Sequence, residues 1–318
     1  MLRFILSIGF ISLTVISCRT DNTHSQKNKS SLGTITVNVT TTDAAKVAFE
    51  EGTLLLHSFQ YTDAAEKFKA AQELDPDFAM AYWGEAMTHN HTLWREQNKT
   101  DADEILLKLG DTQEARIAKA PTAFEKDLYE SVEILYGEGD KHERDVLYST
   151  HMEKLHKKYP NNHEIAAYYA LSVLGAVKQG RDFEAYAKGA KIAESIIAEN
   201  PNHPGALHYL IHSYDDPKNA PRALEAANRY SKVAPDANHA LHMPSHIYVA
   251  MGMWDEVISS NKAAFAASEK RKTAKNLDTD VLDFHSLKWL MYGHLQKGEF
   301  FEAKELVEKM ENYCKILP

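Results

Sequence analysis

Two histidine pairs with the same internal spacing carry the strongest chemical signal in this sequence. His208 and His212 are separated by three residues, and so are His242 and His246, which follow 34 residues later. Residues four apart on a helix lie one turn apart on the same face. Imidazole nitrogen binds zinc, copper and iron, so four imidazoles facing one volume predict a transition-metal site.

Nearby carboxylates indicate what such a metal could do. Asp215 and Asp216 follow the first histidine pair, and Glu85 lies in an earlier helical segment. A metal with three protein ligands keeps an open position for water or oxygen, and Glu85 or Asp216 would then act as the general base. A metal held by all four histidines would instead be structural or transported.

Helices must position these side chains. From Asp43 onward, apolar residues recur with helical spacing, turns are marked by Gly, Pro, Asn and Asp, and strand-type alternation is absent. The helices come in pairs, which predicts an all-α chain of about seven helical hairpins. Small residues such as Gly52 and Ala64 let paired helices approach closely, and Phe68 fills the gap to the next repeat.

The first helix pair matches a known repeat. Five of its residues occupy positions 8, 20, 24, 27 and 32 of a 34-residue unit that begins at Ala45, namely Gly52, Ala64, Phe68, Ala71 and Pro76. This pattern resembles the tetratricopeptide repeat, and weaker matches extend the resemblance over about 270 residues. Segments 79–88, 203–213 and 242–247 also resemble a group of bacterial tetratricopeptide proteins with no settled activity. The resemblance implies a right-handed superhelical solenoid over residues 43–318 with a concave, ligand-binding groove.

The same resemblance places most histidines in that groove. In this family, positions 2, 5, 9, 12 and 13 of each first helix face inward. Eight of the nine histidines on the numbered first helices fall on these positions, and only His294 does not. Besides the four paired residues, the groove set comprises His57, His89, His239 and His285, and the acidic residues Glu85, Asp215 and Asp216 occupy groove positions as well.

Two prolines bear on the ligand set. Pro244 lies between His242 and His246, so a helix is expected to start or kink there. His203 precedes Pro204 at a helix start that Asn202 would cap, so His203 is not predicted to be a ligand.

The N-terminus has the pattern of a secretory signal. Arg3 precedes an apolar segment, residues 4–16, that is too short to span a bilayer. Ser17 and Cys18 follow this segment directly, and the junction resembles the bacterial lipobox, which implies lipidation of Cys18. We therefore expect a signal peptide over residues 1–17, a lipidated flexible tether over residues 18–42, and an exported lipoprotein of the bacterial cell envelope.

Charge and motifs narrow the function. A net charge of −9 argues against nucleic-acid binding, and no P-loop, dinucleotide-binding or Gly-x-Ser-x-Gly motif is present. The favoured hypothesis is an envelope-tethered binding module whose histidine groove holds zinc, copper or iron and presents it to a peptide, a protein or a small ligand. The alternatives are a metal-dependent hydrolase or oxidoreductase, and a pure protein scaffold.

Overall fold

The computed structural model describes residues 31–315. The predicted signal peptide, the proposed lipidation site Cys18 and the tether up to residue 30 lie outside this range. Within residues 31–315, no helix is both long and apolar enough to cross a membrane.

Residues 31–315 contain sixteen α-helices, which form seven hairpins in chain order. The hairpins are α1 (Asp43–His57) with α2 (Tyr61–Leu74), α3 (Ala79–Met87) with α4 (Lys99–Leu109), α6 (Ala123–Leu135) with α7 (Lys141–Lys158), α8 (His163–Gly175) with α9 (Phe183–Glu199), α10 (Pro204–Ser213) with α11 (Ala220–Val233), α12 (Asn238–His242) and α13 (Pro244–Met251) with α14 (Trp254–Lys275), and α15 (Phe284–Lys297) with α16 (Phe300–Cys314). The extra helix α5 (Gln113–Lys119) precedes the third hairpin. Consecutive hairpins pack on one another, so the predicted all-α, tetratricopeptide-like solenoid is confirmed.

The repeat residues pack as the pattern requires. Phe68 is fully buried between the first hairpin and α3. A Cβ placed on Gly52 would lie 2.8 Å from the Phe68 ring, and one placed on Gly84 would overlap the same ring. The two glycines therefore make room for an aromatic side chain whose burial contributes about 1.5–3 kcal/mol.

The first hairpin also contacts hairpins that lie far along the chain. Asp63 of α2 accepts hydrogen bonds from Arg271 at 2.6 and 2.7 Å and from Lys275 at 2.7 Å, both on α14. Helix α1 in turn contacts α10, and the Tyr230 hydroxyl donates to Ser58 at 3.1 Å. These contacts bring the first hairpin against helices of the fifth and sixth hairpins.

The segment before α1 is extended and packed. Leu32 is buried, the Thr34 amide donates to the Asn202 carbonyl at 3.0 Å, and the Thr40 amide donates to Glu125 at 2.7 Å. The prediction of a flexible tether is therefore wrong for residues 31–42, because this segment is held by burial of Leu32 and by hydrogen bonds to residues far along the chain.

Two short strands interrupt the second hairpin. Strand β1 (Asn90–His91) pairs antiparallel with β2 (Glu96–Gln97), and a 3-10 turn over Thr92–Trp94 joins them. The Asn98 amide closes the loop on the His89 carbonyl at 2.9 Å. This loop forms part of the cleft described below.

Candidate metal centre

Three histidines from two helices converge beside α12. His208 and His212 lie one turn apart on α10, and His239 lies in the first turn of α12. The Nε2 atom of His208 is 3.1 Å from Nε2 of His212 and 3.2 Å from Nε2 of His239. Ligands about 2.0–2.1 Å from a tetrahedral zinc are separated by roughly 3.3–3.4 Å. Both distances are close to this value, and the ring nitrogens of the third pair, His212 and His239, lie within 4.8 Å of each other, so these three residues form the first triad.

A second triad repeats this arrangement. His242 ends α12, His246 lies on α13, and His285 lies at the start of α15. The Nε2 atoms of His242 and His246 are 3.2 Å apart. A ring nitrogen of His285 lies within 4.8 Å of a ring nitrogen on each of the other two.

The two triads occupy equivalent places in successive repeats. Each takes positions 5 and 9 of one first helix and position 2 of the next first helix. The geometry thus replaces the single four-histidine site predicted from His208, His212, His242 and His246. The third imidazole of each triad comes from the first turn of the next repeat, at position 2. The triads adjoin, with the His212 and His246 ring centroids 5.8 Å apart.

Hydrogen bonding fixes the His208 tautomer. The Nδ1 atom of His208 is 2.7 Å from the backbone carbonyl of His57, which can only accept. Nδ1 therefore carries the proton, and the lone pair of Nε2 points at His212 and His239. Metal-binding histidines are oriented by the same kind of hydrogen bond from the nitrogen that does not bind the metal.

In the second triad, two rings are likewise oriented by a hydrogen bond from Nδ1. His246 Nδ1 donates to the Asp215 carboxylate at 2.8 Å. His242 Nδ1 donates to Asn261 Oδ1 at 2.6 Å, because the amide nitrogen of Asn261 already donates to the Val257 carbonyl. The Nε2 atoms of the two rings face each other across 3.2 Å, a separation that either a shared metal ion or an N–H···N hydrogen bond can bridge.

Burial disfavours protonation of four of these imidazoles. It lowers the pKa of His208 and of His242 to about 3, with neighbouring imidazoles adding to the effect. Burial also lowers the pKa of His212 and His239 well below the usual value, again helped by the adjacent rings. These imidazoles are neutral at physiological pH, which is the form that binds a metal.

Asp215 has a more specific place than the groove position predicted for it. Burial opposes its ionisation, but the hydrogen bond from His246 lowers the net pKa of the carboxyl. An ionised carboxylate on Nδ1 of a histidine raises the basicity of Nε2. Asp215 thus orients the His246 ring of the second triad by accepting a hydrogen bond from its Nδ1 atom.

A third cluster is a closed hydrogen-bond network. Buried Glu164 accepts from His57 Nε2 at 2.7 Å and from His203 Nε2 at 3.1 Å. His203 Nδ1 accepts from the Ala206 amide at 3.1 Å, and His57 Nδ1 bonds the Tyr209 hydroxyl at 2.9 Å. Every ring nitrogen is engaged, so this cluster is structural.

Two sequence predictions are corrected by this network. His203 itself caps α10 through its imidazole, in place of Asn202, which was predicted as the cap. His57, expected to line the groove, is fully buried and contributes its carbonyl to His208.

The predicted general bases are engaged elsewhere. Glu85 is buried and accepts from Gln72 at 2.6 Å, with Lys69 at 3.5 Å. Asp216 accepts from the side chain of Asn219 at 2.9 Å and pairs with Arg181 at 3.3 Å. Each carboxylate stabilises its own surroundings, so the structure does not support the base role predicted for Glu85 or Asp216.

A cleft of about 1080 Å³ runs past the outer histidine of each triad, His239 and His285. His89, predicted to line the groove, lies in its wall and faces Asp101 at 3.8 Å. Aromatic side chains form much of the remaining lining, among them Phe59, Tyr61, His91 and Trp94. One histidine of each triad therefore borders a cavity of the size that binds small molecules.

Phe59 is a site residue that the sequence analysis missed. It has a left-handed backbone with φ of 52°, and it ends α1 in a Schellman motif in which Gln60 bonds Leu55 and Phe59 bonds Leu56. Glycine is usual at that position. The conformation holds the Phe59 ring 4.3 Å from the ring of His208.

Trp289 has the matching role at the second triad and was also missed. Its ring lies 4.6 Å from His246 and 5.2 Å from His242. Neither aromatic residue follows from a repeat consensus, whereas the dense run of His and Trp at residues 88–94 was a usable signal for the cleft.

Comparisons with known proteins add little to this description. No family model matches the chain, and no curated protein is similar enough to count as a relative. Among solved structures, the tetratricopeptide domain of P58(IPK) aligns over 84% of this chain and 99% of that chain, at 14% identity and a TM-score of 0.26. So distant a likeness carries no argument about function, which must come from the site itself.

Proposed function

We propose that this chain is a metal-binding protein whose two triads hold a pair of transition-metal ions beside the cleft. One observation carries the proposal. Nε2 atoms converge at 3.1–3.2 Å within each triad, while Nδ1 of His208, His242 and His246 donates to a fixed acceptor. Three imidazoles per ion leave a coordination position for an exogenous ligand, which favours a reactive or ligand-binding metal over a closed structural one.

The ligand type favours copper or zinc. Both triads consist of imidazoles alone, whereas non-haem iron sites characteristically include a carboxylate. Copper(II) is also bound more tightly than other divalent first-row metals by a given set of nitrogen ligands. Iron therefore ranks below copper and zinc among the metals expected from the sequence.

The array itself supports a protein-interaction scaffold, since stacked helical hairpins present extended surfaces to partners. We propose that such a partner binds the surface of the array outside the cleft and the two triads. The N-terminal pattern supports export and lipidation at Cys18, which would tether the centre to a membrane. Substitution of Cys18 by alanine should then abolish incorporation of labelled palmitate and release the protein from the membrane fraction.

Metal content tests the central proposal. The untagged protein is loaded with copper or zinc, passed through a desalting column and measured by mass spectrometry. We expect two equivalents per chain, and one in each of the double variants His208→Ala/His212→Ala and His242→Ala/His246→Ala. The control His163→Ala/His294→Ala removes two histidines that pair with Glu199 and Glu299, and it should retain both ions.

Electron paramagnetic resonance then tests the pairing. Equivalent rings of the two triads are 5.8 Å apart, so two copper(II) ions held by them should broaden each other's signals. Each double variant should show the sharp signal of an isolated ion. Trace metal in the wild type, or equal metal in all variants, would contradict the proposal.

A further inference from the structure

One wall of the cleft is a group of touching aromatic rings. Tyr61 stacks on His91 with centroids 4.1 Å apart, and Phe59 stacks on Tyr61 at 5.4 Å. Trp94 meets Phe59 edge-on at 5.5 Å. These residues come from the turn after α1, the start of α2 and the loop within the second hairpin. The wall therefore exists only because these segments meet beside the first triad.

Trp94 is the exposed member of this wall. Its side chain is 51% exposed, an unfavourable state for so large an apolar surface. The loop that carries it is nevertheless fixed. Arg95 adopts a left-handed conformation with φ of 57° and donates to the carbonyls of Val177 at 3.1 Å and Gly180 at 3.3 Å. A rigid loop that presents an indole to a cavity is suited to stacking a planar ligand.

The wall leads to the metal ligands. Phe59 stacks on His239 at 5.6 Å, and the Trp94 ring lies 6.1 Å from the same imidazole. His285, the outer member of the second triad, lines the same cleft. A molecule stacked on Trp94 would therefore present its edge to the triads.

The charges of the cleft exclude a strongly anionic ligand. Arg271 pairs with Asp63 at 2.6 Å, and Lys69 lies 3.5 Å from Glu85, so both cations in the lining are already neutralised. Phosphate groups require donors that are free to bind them. The cleft instead offers aromatic faces and, through His239 and His285, a border with the two triads.

We infer that the cleft binds a small planar aromatic molecule bearing an adjacent pair of hydroxyl groups, the catechol class, with its ring on Trp94 and its oxygens on the metal pair. This inference rests on the proposed metal function, because the ions supply the second anchor. Stacking alone would give weak and unselective binding, whereas the two anchors together select for planarity and oxygen donors.

The test uses 4-nitrocatechol, whose absorption changes when it binds a metal, with the zinc-loaded protein, so that no oxidation occurs. We expect a saturable shift at one equivalent per chain, accompanied by quenching of tryptophan fluorescence. Trp94→Ala should weaken binding about tenfold or more, and Trp94→Phe should restore part of the affinity. Trp254→Ala is the control, because Trp254 packs on Tyr292 away from the cleft.

Each outcome separates this inference from the metal proposal, because zinc content is measured on the same samples. Two bound ions with no absorption shift, or an equal affinity in Trp94→Ala, would overturn the inference and leave the metal function intact. Equal binding to metal-free protein, or displacement of the probe by non-planar cyclohexane-1,2-diol as readily as by catechol, would overturn it as well. Absence of zinc from the loaded protein would remove both proposals together.

Discussion

The last carbonyl of α1 orients the central imidazole of the first triad. His57 oxygen accepts the Nδ1 proton of His208 at 2.7 Å, across 151 residues of sequence. The carbonyl is free to do so because the final turn of a helix has no internal partner for its C=O groups. The Glu164 network fixes the His57 ring, so the position of one buried carboxylate is transmitted to a ligand of the first triad.

Gly205 tests this transmission. A Cβ at Gly205 would overlap the His57 imidazole, so Gly205→Ala should displace His57 and its carbonyl. Loss of such an orienting partner typically costs about 10–100-fold in metal affinity. We expect that loss at the first triad, with the second triad unchanged as an internal control, in calorimetric titrations of each site. Equal weakening of both sites would show a general loss of structure instead.

The second triad has its own orienting partner in Asp215. Asp215→Asn removes the carboxylate that accepts from His246 and should weaken that site by about 10–100-fold. The neighbouring change Asp216→Asn is the matched control, because Asp216 bonds Asn219 and Arg181 and should leave both affinities unchanged. A larger metal defect in Asp216→Asn would refute the assignment.

At Phe59, a glycine variant should be more stable than an alanine variant, the reverse of the usual order within a helix. Alanine normally exceeds glycine by roughly 0.5–1 kcal/mol within a helix, but a left-handed residue favours glycine by about 1–2 kcal/mol. Both Phe59→Ala and Phe59→Gly lose the ring, yet the glycine variant should be the more stable by about 1 kcal/mol in urea unfolding. At Phe49, which is buried inside α1, the alanine variant should be the more stable one.

The contact between α2 and α14 should depend on acid. Burial opposes ionisation of Asp63, but hydrogen bonds from Arg271 and Lys275 lower the net pKa of its carboxyl. A carboxyl with a lowered pKa stabilises the fold above its unfolded value, near 3.9, and that contribution is lost as pH falls through the folded pKa.

Asp63→Asn should therefore cost about 1–3 kcal/mol in the free energy of unfolding near neutral pH. The difference from wild type should shrink as pH falls below about 4, as measured by urea unfolding across pH. The exposed carboxylate Asp255, which pairs with Lys297, is the control, and its asparagine variant should differ little from wild type at any pH. A pH-independent cost for Asp63→Asn would exclude the ionic explanation.

Local pattern predicted much of the fold. Gly52, Ala64 and Phe68 identified the first hairpin because their sizes decide how closely two helices approach. Pro244 likewise marked the break between α12 and α13, because proline cannot donate within a helix. Such features depend on residues close together in the chain.

The rest of the site depends on how hairpins stack, which local pattern does not determine. The spacing of His208 and His212 indicated ligands, but their third partner, His239, belongs to the next repeat. The sequence likewise gave no sign that Asp63 would meet Arg271 or that Phe59 would cover His208. Those contacts follow from the curvature of the whole array.

The equivalence of the two triads means that the same three repeat positions build both of them. Each repeat that carries histidine at positions 5 and 9, followed by a repeat with histidine at position 2, creates one more site. The row stops at the last hairpin, where Lys288 and Tyr292 occupy positions 5 and 9. A second copy of residues 204–237 would add a third triad only if position 2 of that copy, where Gly205 stands, carried histidine as well. The number of triads is therefore set by which residues stand at positions 2, 5 and 9 of successive repeats.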